Sequence, residues 1–288
     1  MQDSELQQFT PQETLLKKAM ARDVVPASQA ILDAVASRLF ERLDLLKAAP
    51  SRIIDLGTGD ARHLAQLQMR FKAASVIGAD LSLARLRCAS SRRRFWQKRP
   101  LLVCLDADKP LPFANKTFDL VVSNMMLPWL CDAESLVAEV NRVLVKDGAY
   151  FLSTAGPDTL IELRQAWASI DDSEHINMFL DMHDVGDLMV RSGMADPVMD
   201  TERITVTYSS IDKLLDELTA LGFINVLNGR RKGLTAASVR QRLKASYPEN
   251  SEGGIDATLE LVTAHGWSGV PKSPQGEYYF DIDKLKIR

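Results

Sequence analysis

Three acidic residues, each at the end of a short apolar run, give this sequence its most informative chemistry. The first run, Ile53-Ile54-Asp55-Leu56, breaks into Gly57-Thr58-Gly59-Asp60-Ala61. Glycine takes positive φ without steric cost and lets a ligand approach the backbone. In open parallel sheets ligands settle beyond the carboxyl ends of the strands, where such a turn sits. The second run ends Gly78-Ala79-Asp80-Leu81, and a carboxylate there can accept both hydroxyls of a ribose. The third ends Cys104-Leu105-Asp106-Ala107, followed by Leu111-Pro112-Phe113, a position suited to gripping an adenine edge. A fourth run, Phe118-Asp119-Leu120-Val121-Val122-Ser123-Asn124, completes the set. The first turn alone also reads as a plain tight strand–helix connection; its neighbours sharpen it into a nucleoside site without phosphate. Arg62 stands where a dinucleotide fingerprint has its third glycine, and no Walker lysine–serine follows. Carboxylates around the turn would repel a pyrophosphate but suit a cationic sulfonium and an amino group.

These residues need a scaffold, and the hydrophobic pattern supplies one. Apolar spacing predicts strands at Arg52–Leu56, Ser75–Ala79, Leu101–Leu105, Phe118–Ser123 and Ala149–Thr154. Helical patterns precede and separate them, at Ser28–Leu46, Ala61–Phe71, Leu83–Trp96 and Ala133–Lys146. Strand–helix alternation with continuous apolar strands means a parallel sheet covered by helices on both faces. After Thr154 the rhythm changes. Helices are expected at Asp158–Ser169, Asp184–Ser192, Ile211–Leu221 and Thr235–Ser246, with strands at Val198–Tyr208 and Ala257–His265. The expected organisation is a lead-in over 1–27, one α/β domain over 28–268 and a C-terminal tail over 269–288. Within the domain, insertions over 156–195 and 209–250 should form a helical cap, since a plain hairpin usually joins the last two strands.

The chain has 288 residues, 46% of them hydrophobic and 25% charged, which excludes a disordered, collagen-like or disulfide-scaffold protein. The most apolar stretch, Leu120–Leu130, is too short to span a bilayer, and the acidic N-terminus does not read as a signal peptide. Cys88, Cys104 and Cys131 show no metal-ligand spacing; reduced thiols in a cytoplasmic protein are expected, with no metal site. The net charge of −3 conceals two basic segments. Seven basic and no acidic residues lie between Leu81 and Leu105, and six basic and no acidic residues between Leu218 and Pro248. Arg92-Arg93-Arg94-Phe95-Trp96 in the first could bind RNA or simply cap a helix end; the negative net charge favours the solvated helix end and no nucleic-acid partner.

As an ordered set, Asp55-Leu56-Gly57-Thr58-Gly59, Asp80, Asp106-Ala107, Leu111-Pro112-Phe113 and Phe118-Asp119-Leu120-Val121 resemble the Rossmann-like class I S-adenosylmethionine-dependent methyltransferases over about residues 50–155. That resemblance implies a seven-stranded, mostly parallel sheet with its last strand antiparallel. It also implies S-adenosylmethionine as cofactor and S-adenosylhomocysteine as product. Gly57 and Gly59 would lie beside the methionine moiety, Asp80 on the ribose and Asp106 at the adenine, with Asp55, Leu81, Ala107 and Asn124 completing the cofactor contacts. Ala61 stands where many members have a third glycine, and alanine is small enough to fit.

Trp129, Gly156-Pro157-Asp158-Thr159-Leu160 with Glu162-Leu163-Arg164, Phe179-Leu180-Asp181-Met182-His183-Asp184 and Ala264-His265-Gly266-Trp267 narrow the resemblance to the malonyl-acyl carrier protein O-methyltransferases of biotin synthesis. These esterify the free carboxyl of a malonyl thioester, so a malonyl-bearing acyl carrier protein is the implied partner. Such an acceptor needs no general base, because a carboxylate of pKa about 4 is already ionised at neutral pH. It needs alignment, exclusion of water and a cation to hold it. No His–Asp dyad or nucleophilic cysteine is evident, in keeping with that chemistry.

Arg164 is the candidate cation, though it could equally pair with Glu162. His183 and His265 could line an acceptor pocket or be satisfied structural residues, and Trp129 could line it or pack. The tyrosine that the family usually carries ahead of the first helix, near Val25, is missing, the first tyrosine being Tyr150. That keeps two other readings open: a methyltransferase for another small acid, and a non-methylating relative resembling mitochondrial complex I assembly factors, a branch associated with arginine hydroxylation. The basic segment Arg230–Lys244 is expected to dock the acidic carrier, so charge reversal at Arg230, Arg231 and Lys232 should raise its KM.

Overall fold

Ile53 and Ile54 are neighbours on one strand and so face opposite ways, yet both are fully shielded from solvent. The strand that bears them is therefore covered on both faces. The computed structural model describes residues 29–46, 49–91, 101–221, 223, 225, 227, 230 and 236–269. The first half contains α1 (Gln29–Glu41), a 3-10 turn (Arg42–Leu45), β1 (Arg52–Leu56), α2 (Arg62–Arg70), β2 (Ser75–Asp80), α3 (Leu83–Ser91), β3 (Leu101–Cys104), β4 (Phe118–Asn124) and α4 (Ala133–Val143). The second contains β5 (Leu144–Ala155), α5 (Ile161–Ala168), α6 (Met182–Arg191), β6 (Met194–Tyr208), α7 (Ile211–Leu221), α8 (Ala237–Ser246) and β7 (Ile255–Ser268).

All seven strands join one sheet in the order β3-β2-β1-β4-β5-β7-β6. β1 to β5 run parallel, and β7 is antiparallel to both β5 and β6. This is the Rossmann-like α/β architecture expected from the strand–helix rhythm. Strand order reverses at β1, flanked by β2 on one side and β4 on the other, which opens a crevice at their carboxyl ends.

Helices α1 and α2 cover one face of the sheet, packing Leu39, Leu64 and Leu67 on Ile53, Leu120 and Phe151. On the opposite face α4 and α6 pack Val137, Val140 and Leu188 on Ile54, Val121 and Leu152. So α6, inside the 156–195 stretch expected to be cap, is a covering helix of the sheet itself. The helical layer above the sheet is built from α5, α7 and α8 around Leu163, Leu214, Leu243 and Tyr247. Its attachment to β7 is polar: Gly156 N–H donates to Glu260 O at 2.8 Å, Asp158 N–H to the Glu260 carboxylate at 2.7 Å, and Thr258 N–H to Glu162 at 3.0 Å. A Cβ on Gly156 would stand 2.6 Å from the Glu260 carboxylate, so glycine permits this approach.

Several boundaries differ from the sequence expectation. The helix expected to reach Lys146 stops at Val143, because Leu144 is extended and pairs with Phe118 at the start of β4. β6 and β7 outrun their predicted spans because they pair continuously from Met194↔Ser268 to Tyr208↔Ile255, through one register shift. The expected first helix becomes α1 plus the 3-10 turn. The lead-in with Val25, the Arg92–Trp96 run, Arg231, Lys232 and the tail beyond residue 269 lie outside the described residues. Cys88 and Cys104 are exposed and Cys131 half-buried, all free thiols. Among the described residues, no helix is long and apolar enough to cross a membrane.

Candidate active site

The turn after β1 is shaped by backbone geometry. Gly57 and Gly59 have φ of +76° and +59°, which L-residues with side chains rarely adopt. Gly57 and Thr58 N–H both donate to Ala79 O, at 2.8 and 3.0 Å, tying the turn to the end of β2. A Cβ on Gly57 would press on the Met126 side chain at 3.0 Å, whereas one on Gly59 would meet open space. Ala61 adopts φ +56° at the start of α2. The left-handed backbone angle, rather than side-chain size, is therefore what favours glycine at this position.

The carboxylates are held by the main chain. Asp80, buried at the tip of β2, accepts Gly59 N–H on one oxygen and Ser82 N–H on the other, each at 2.8 Å. Asp106 accepts Asp108 N–H at 3.1 Å. Asp108 in turn accepts Cys131 and Asp132 N–H, joining the loop after β3 to the loop after β4. Asp55 is buried beneath the turn and takes a 2.6 Å hydrogen bond from Thr58 Oγ1. Burial pushes its carboxyl up to about 7 against that bond, with the Asp80 charge adding to the rise.

Over these tips lies a cleft enclosing about 400 Å³ of space that is partly open to solvent. Gly57, Asp80, Leu81, Asp106, Ala107 and Trp129, all predicted, line it. Leu56, Ala79, Leu105, Asp108, Met126 and Leu130, which the sequence pattern did not single out, complete the wall. Three carboxylates and no cation face the cavity among the described residues. That donor set fits an adenosyl sulfonium: acceptors for ribose hydroxyls and an amino group, apolar faces for a base, and negative charge for a cation.

The other predicted residues fall elsewhere. Asn124, at the end of β4, accepts the Ser153 hydroxyl at 2.7 Å and does not line the cavity. His183 is exposed on the first turn of α6, also away from the cavity. His265 is buried on β7, stacked flat on Phe151 with centroids 4.9 Å apart, and burial lowers its pKa; it is a packing residue on the α1 side of the sheet. Leu111-Pro112-Phe113 is an anchor rather than an adenine grip. Phe113 packs edge-on to Phe118 at 5.0 Å, and Arg142 holds the carbonyls of Leu111 and Phe113. Asp119 sits at the far end of β4, accepting Ser51 and Arg52 N–H and the Ser51 hydroxyl.

Arg164, on α5, does not pair with Glu162, whose carboxylate is engaged by Thr258. It is half-buried and has no ion-pair partner among the described residues, only a 3.5 Å contact from Nη2 to Asn177 O. Burial lowers its pKa, opposed by Asp158, but a guanidinium stays protonated at neutral pH. Trp129 reaches from the cavity toward the helical layer, its ring 5.5 Å from that of Phe223, which lies 6.5 Å from Phe179. Two His–Asp pairs that the sequence spacing hides are His63–Asp33 at 3.0 Å and His175–Asp171 at 2.7 Å, neither lining the cavity.

Residues 54–152 match the model of the family described as Methyltransferase domain. The chain is 37% identical over 275 residues to a malonyl-[acyl-carrier protein] O-methyltransferase of Gallionella capsiferriformans, covering 93% of this chain and 94% of that protein. It is 41% identical to one of Laribacter hongkongensis over 241 residues, 81% of each chain. Among solved structures, a putative methyltransferase from Bacillus halodurans superposes with a TM-score of 0.58 at 16% identity, covering 81% of this chain and all of that one. The [4+2]-cyclase SpnF does so with a TM-score of 0.53, also at 16% identity, covering 83% and 81%. At such identities the structural likeness speaks for fold alone.

Proposed function

This chain belongs to the malonyl-[acyl-carrier protein] O-methyltransferase family, and from that premise we propose that it methylates the free carboxylate of malonyl-acyl carrier protein, using S-adenosylmethionine, in biotin (pimeloyl) synthesis. The observation that carries the reading is the carboxylate-lined cavity at the strand tips, bordered by Trp129 on the side of the helical layer. Bound there, S-adenosylmethionine supplies a methyl group on a sulfonium, and S-adenosylhomocysteine is left when an acceptor oxygen takes that methyl.

Each residue then has a defined task. Asp80 accepts the ribose hydroxyls with the lone pairs that Gly59 and Ser82 leave open, and Asp106 takes the adenine amino group. Gly57 and Gly59 let the methionine moiety approach the backbone, and Asp55 adds negative charge beneath it. Asp55, buried with a raised pKa, ionises more readily beside a cation, so cofactor binding releases a proton near neutral pH. Arg164 grips one oxygen of the malonyl carboxylate and leaves the other to face the methyl, while Trp129 and Phe223 keep water away. No proton has to be moved, because the acceptor is ionised before it binds. His183 has no part in this scheme. The three free thiols accord with a reducing compartment, and we place the enzyme in the cytoplasm.

Mass spectrometry of malonyl-acyl carrier protein incubated with enzyme and cofactor tests the proposal. The expected result is the gain of one methyl. No gain on this substrate, with another small acid methylated instead, would redirect the assignment to that acid.

A further inference from the structure

The helical layer carries a second space that the methyl-transfer scheme leaves unused. It is an open groove of about 1180 Å³ bordered by α5, α7, α8 and the 175–179 loop. Its apolar wall includes Leu163, Leu218 and Phe179; its polar groups include Asn177, Thr219 and Asn225, with one carboxylate, Asp216. Phe223 also lines it, and its ring meets Trp129 of the cofactor cavity at 5.5 Å. Arg164 does not line the groove but touches its wall, with Nη2 3.5 Å from the carbonyl of Asn177.

Arg240, on α8, lines the groove as well. That helix has Arg240, Arg242 and Lys244 and no acidic residue. Arg240 and Lys244 share one carboxylate, Asp212, so the pair keeps net positive charge, and exposed Arg242 has no ion-pair partner among the described residues. One groove therefore carries the Arg240 guanidinium and mixed polar and apolar sides, and through Phe223 it abuts the aromatic wall of the methyl-donor cavity.

We infer that this groove receives the phosphopantetheine-type arm that bears the malonyl thioester, with the arm's phosphate at Arg240 and its thioester end near Phe223. This rests on the function proposed above and names the path by which the acceptor arrives. The chemistry of the arm matches the walls: a guanidinium for its anion, polar and apolar sides for amides alternating with methylenes, and an aromatic ring for the thioester end. The neighbouring cavity of about 470 Å³, lined by Met125, Leu214, Leu221 and Leu259, is nearly wholly apolar. Amides and a carboxylate placed there would lose their hydrogen bonds without replacement. Both spaces reach Phe223, so polar and charge complementarity favours the groove.

The test uses the full-length protein and malonyl-phosphopantetheine free of any carrier, with binding read by calorimetry. Thr219 is exposed on α7, and its hydroxyl only caps Leu215 O, so it can be enlarged without disturbing the core. Thr219→Trp should weaken binding about 10-fold or more, while the affinity for S-adenosylmethionine stays at its wild-type value. Arg240→Gln should weaken binding of the phosphorylated probe and leave malonyl-pantetheine unaffected. Wild-type affinity in Thr219→Trp, or no binding of the probe to wild-type protein, would overturn the inference. Both outcomes are read without turnover, so they are distinct from a failure of methyl transfer to malonyl-acyl carrier protein.

Discussion

The strand tips and the helical layer above them hold their polar groups by different means. At the tips, five backbone N–H groups, from Gly59, Ser82, Asp108, Cys131 and Asp132, donate to the carboxylates of Asp80, Asp106 and Asp108. Those carboxylates are placed by the main chain, which is itself fixed by the parallel ladder. In the helical layer, position depends on side chains meeting side chains. His175 is set by Asp171 and by stacking on Trp167 at 3.7 Å; Arg240 and Lys244 are set by Asp212, and Arg164 by a single long contact. In the proposed function, the half assigned to the cofactor is preorganised by backbone. The half assigned to the carrier-borne substrate keeps a charged group in reserve, at a desolvation cost that an anionic acceptor would offset.

The widest gap between the two halves should appear on removing Asp80. Asp80→Ala deprives Gly59 and Ser82 of their acceptor as well as the ribose of its partner. Cofactor affinity should fall about 100-fold or more by calorimetry. Retained affinity would mean that the strand tips are not the preorganised half. Arg164→Gln should act on the other half alone. It should lower kcat/KM for the malonyl substrate about 30-fold, with cofactor affinity unchanged; parallel loss of both would merge the two regions.

Asp55→Asn sharpens the contrast through pH. The native carboxyl is raised to about 7, above its unfolded value, so its favourable contribution is complete below pH about 4 and is lost as pH rises through 7. Asp55→Asn should therefore be more stable than wild type at pH 8, by up to about 4 kcal/mol, with the advantage shrinking toward pH 4. It should also bind the cofactor more weakly. Chemical denaturation across that range measures the first effect, and calorimetry the second. The smallest effect is expected at Ala61, held at φ +56°. Ala61→Gly relieves left-handed strain worth about 1–2 kcal/mol and adds chain entropy of about 0.5–1 kcal/mol to the unfolded state. A rise in Tm of a few degrees is expected; a fall would show that the strain is smaller than the entropy.

Much of the strand-tip half was legible because it is local. Asp80, Asp106 and the glycines each follow an apolar run in sequence, and a strand end seen in the pattern is a strand end in space. The cavity residues left unnoticed, Met126, Asp108 and Leu130, lie close in sequence to predicted ones but have no distinctive pattern. Leu111-Pro112-Phe113 misled, because a motif's recurrence does not distinguish an anchor that packs on Phe118 from a ligand contact. His183 and Asn124 misled for a related reason: position next to a motif does not fix the direction of a side chain.

What the sequence determined by itself was periodicity and order: parallel strands separated by helices, and acidic residues closing three of them, the reversal of the last strand being implied by the family resemblance. Alternation of apolar side chains is a local property, and the tips follow from it. Tertiary structure alone decided that α6 covers the sheet instead of the site, that Glu162 is taken by Thr258 so that Arg164 has no ion-pair partner among the described residues, and that Trp129 meets Phe223 across 94 residues of chain. Those outcomes come from contacts between segments far apart in sequence, whose pairing is chosen by the joint burial and hydrogen-bond satisfaction of the whole fold. No local pattern encodes such a choice.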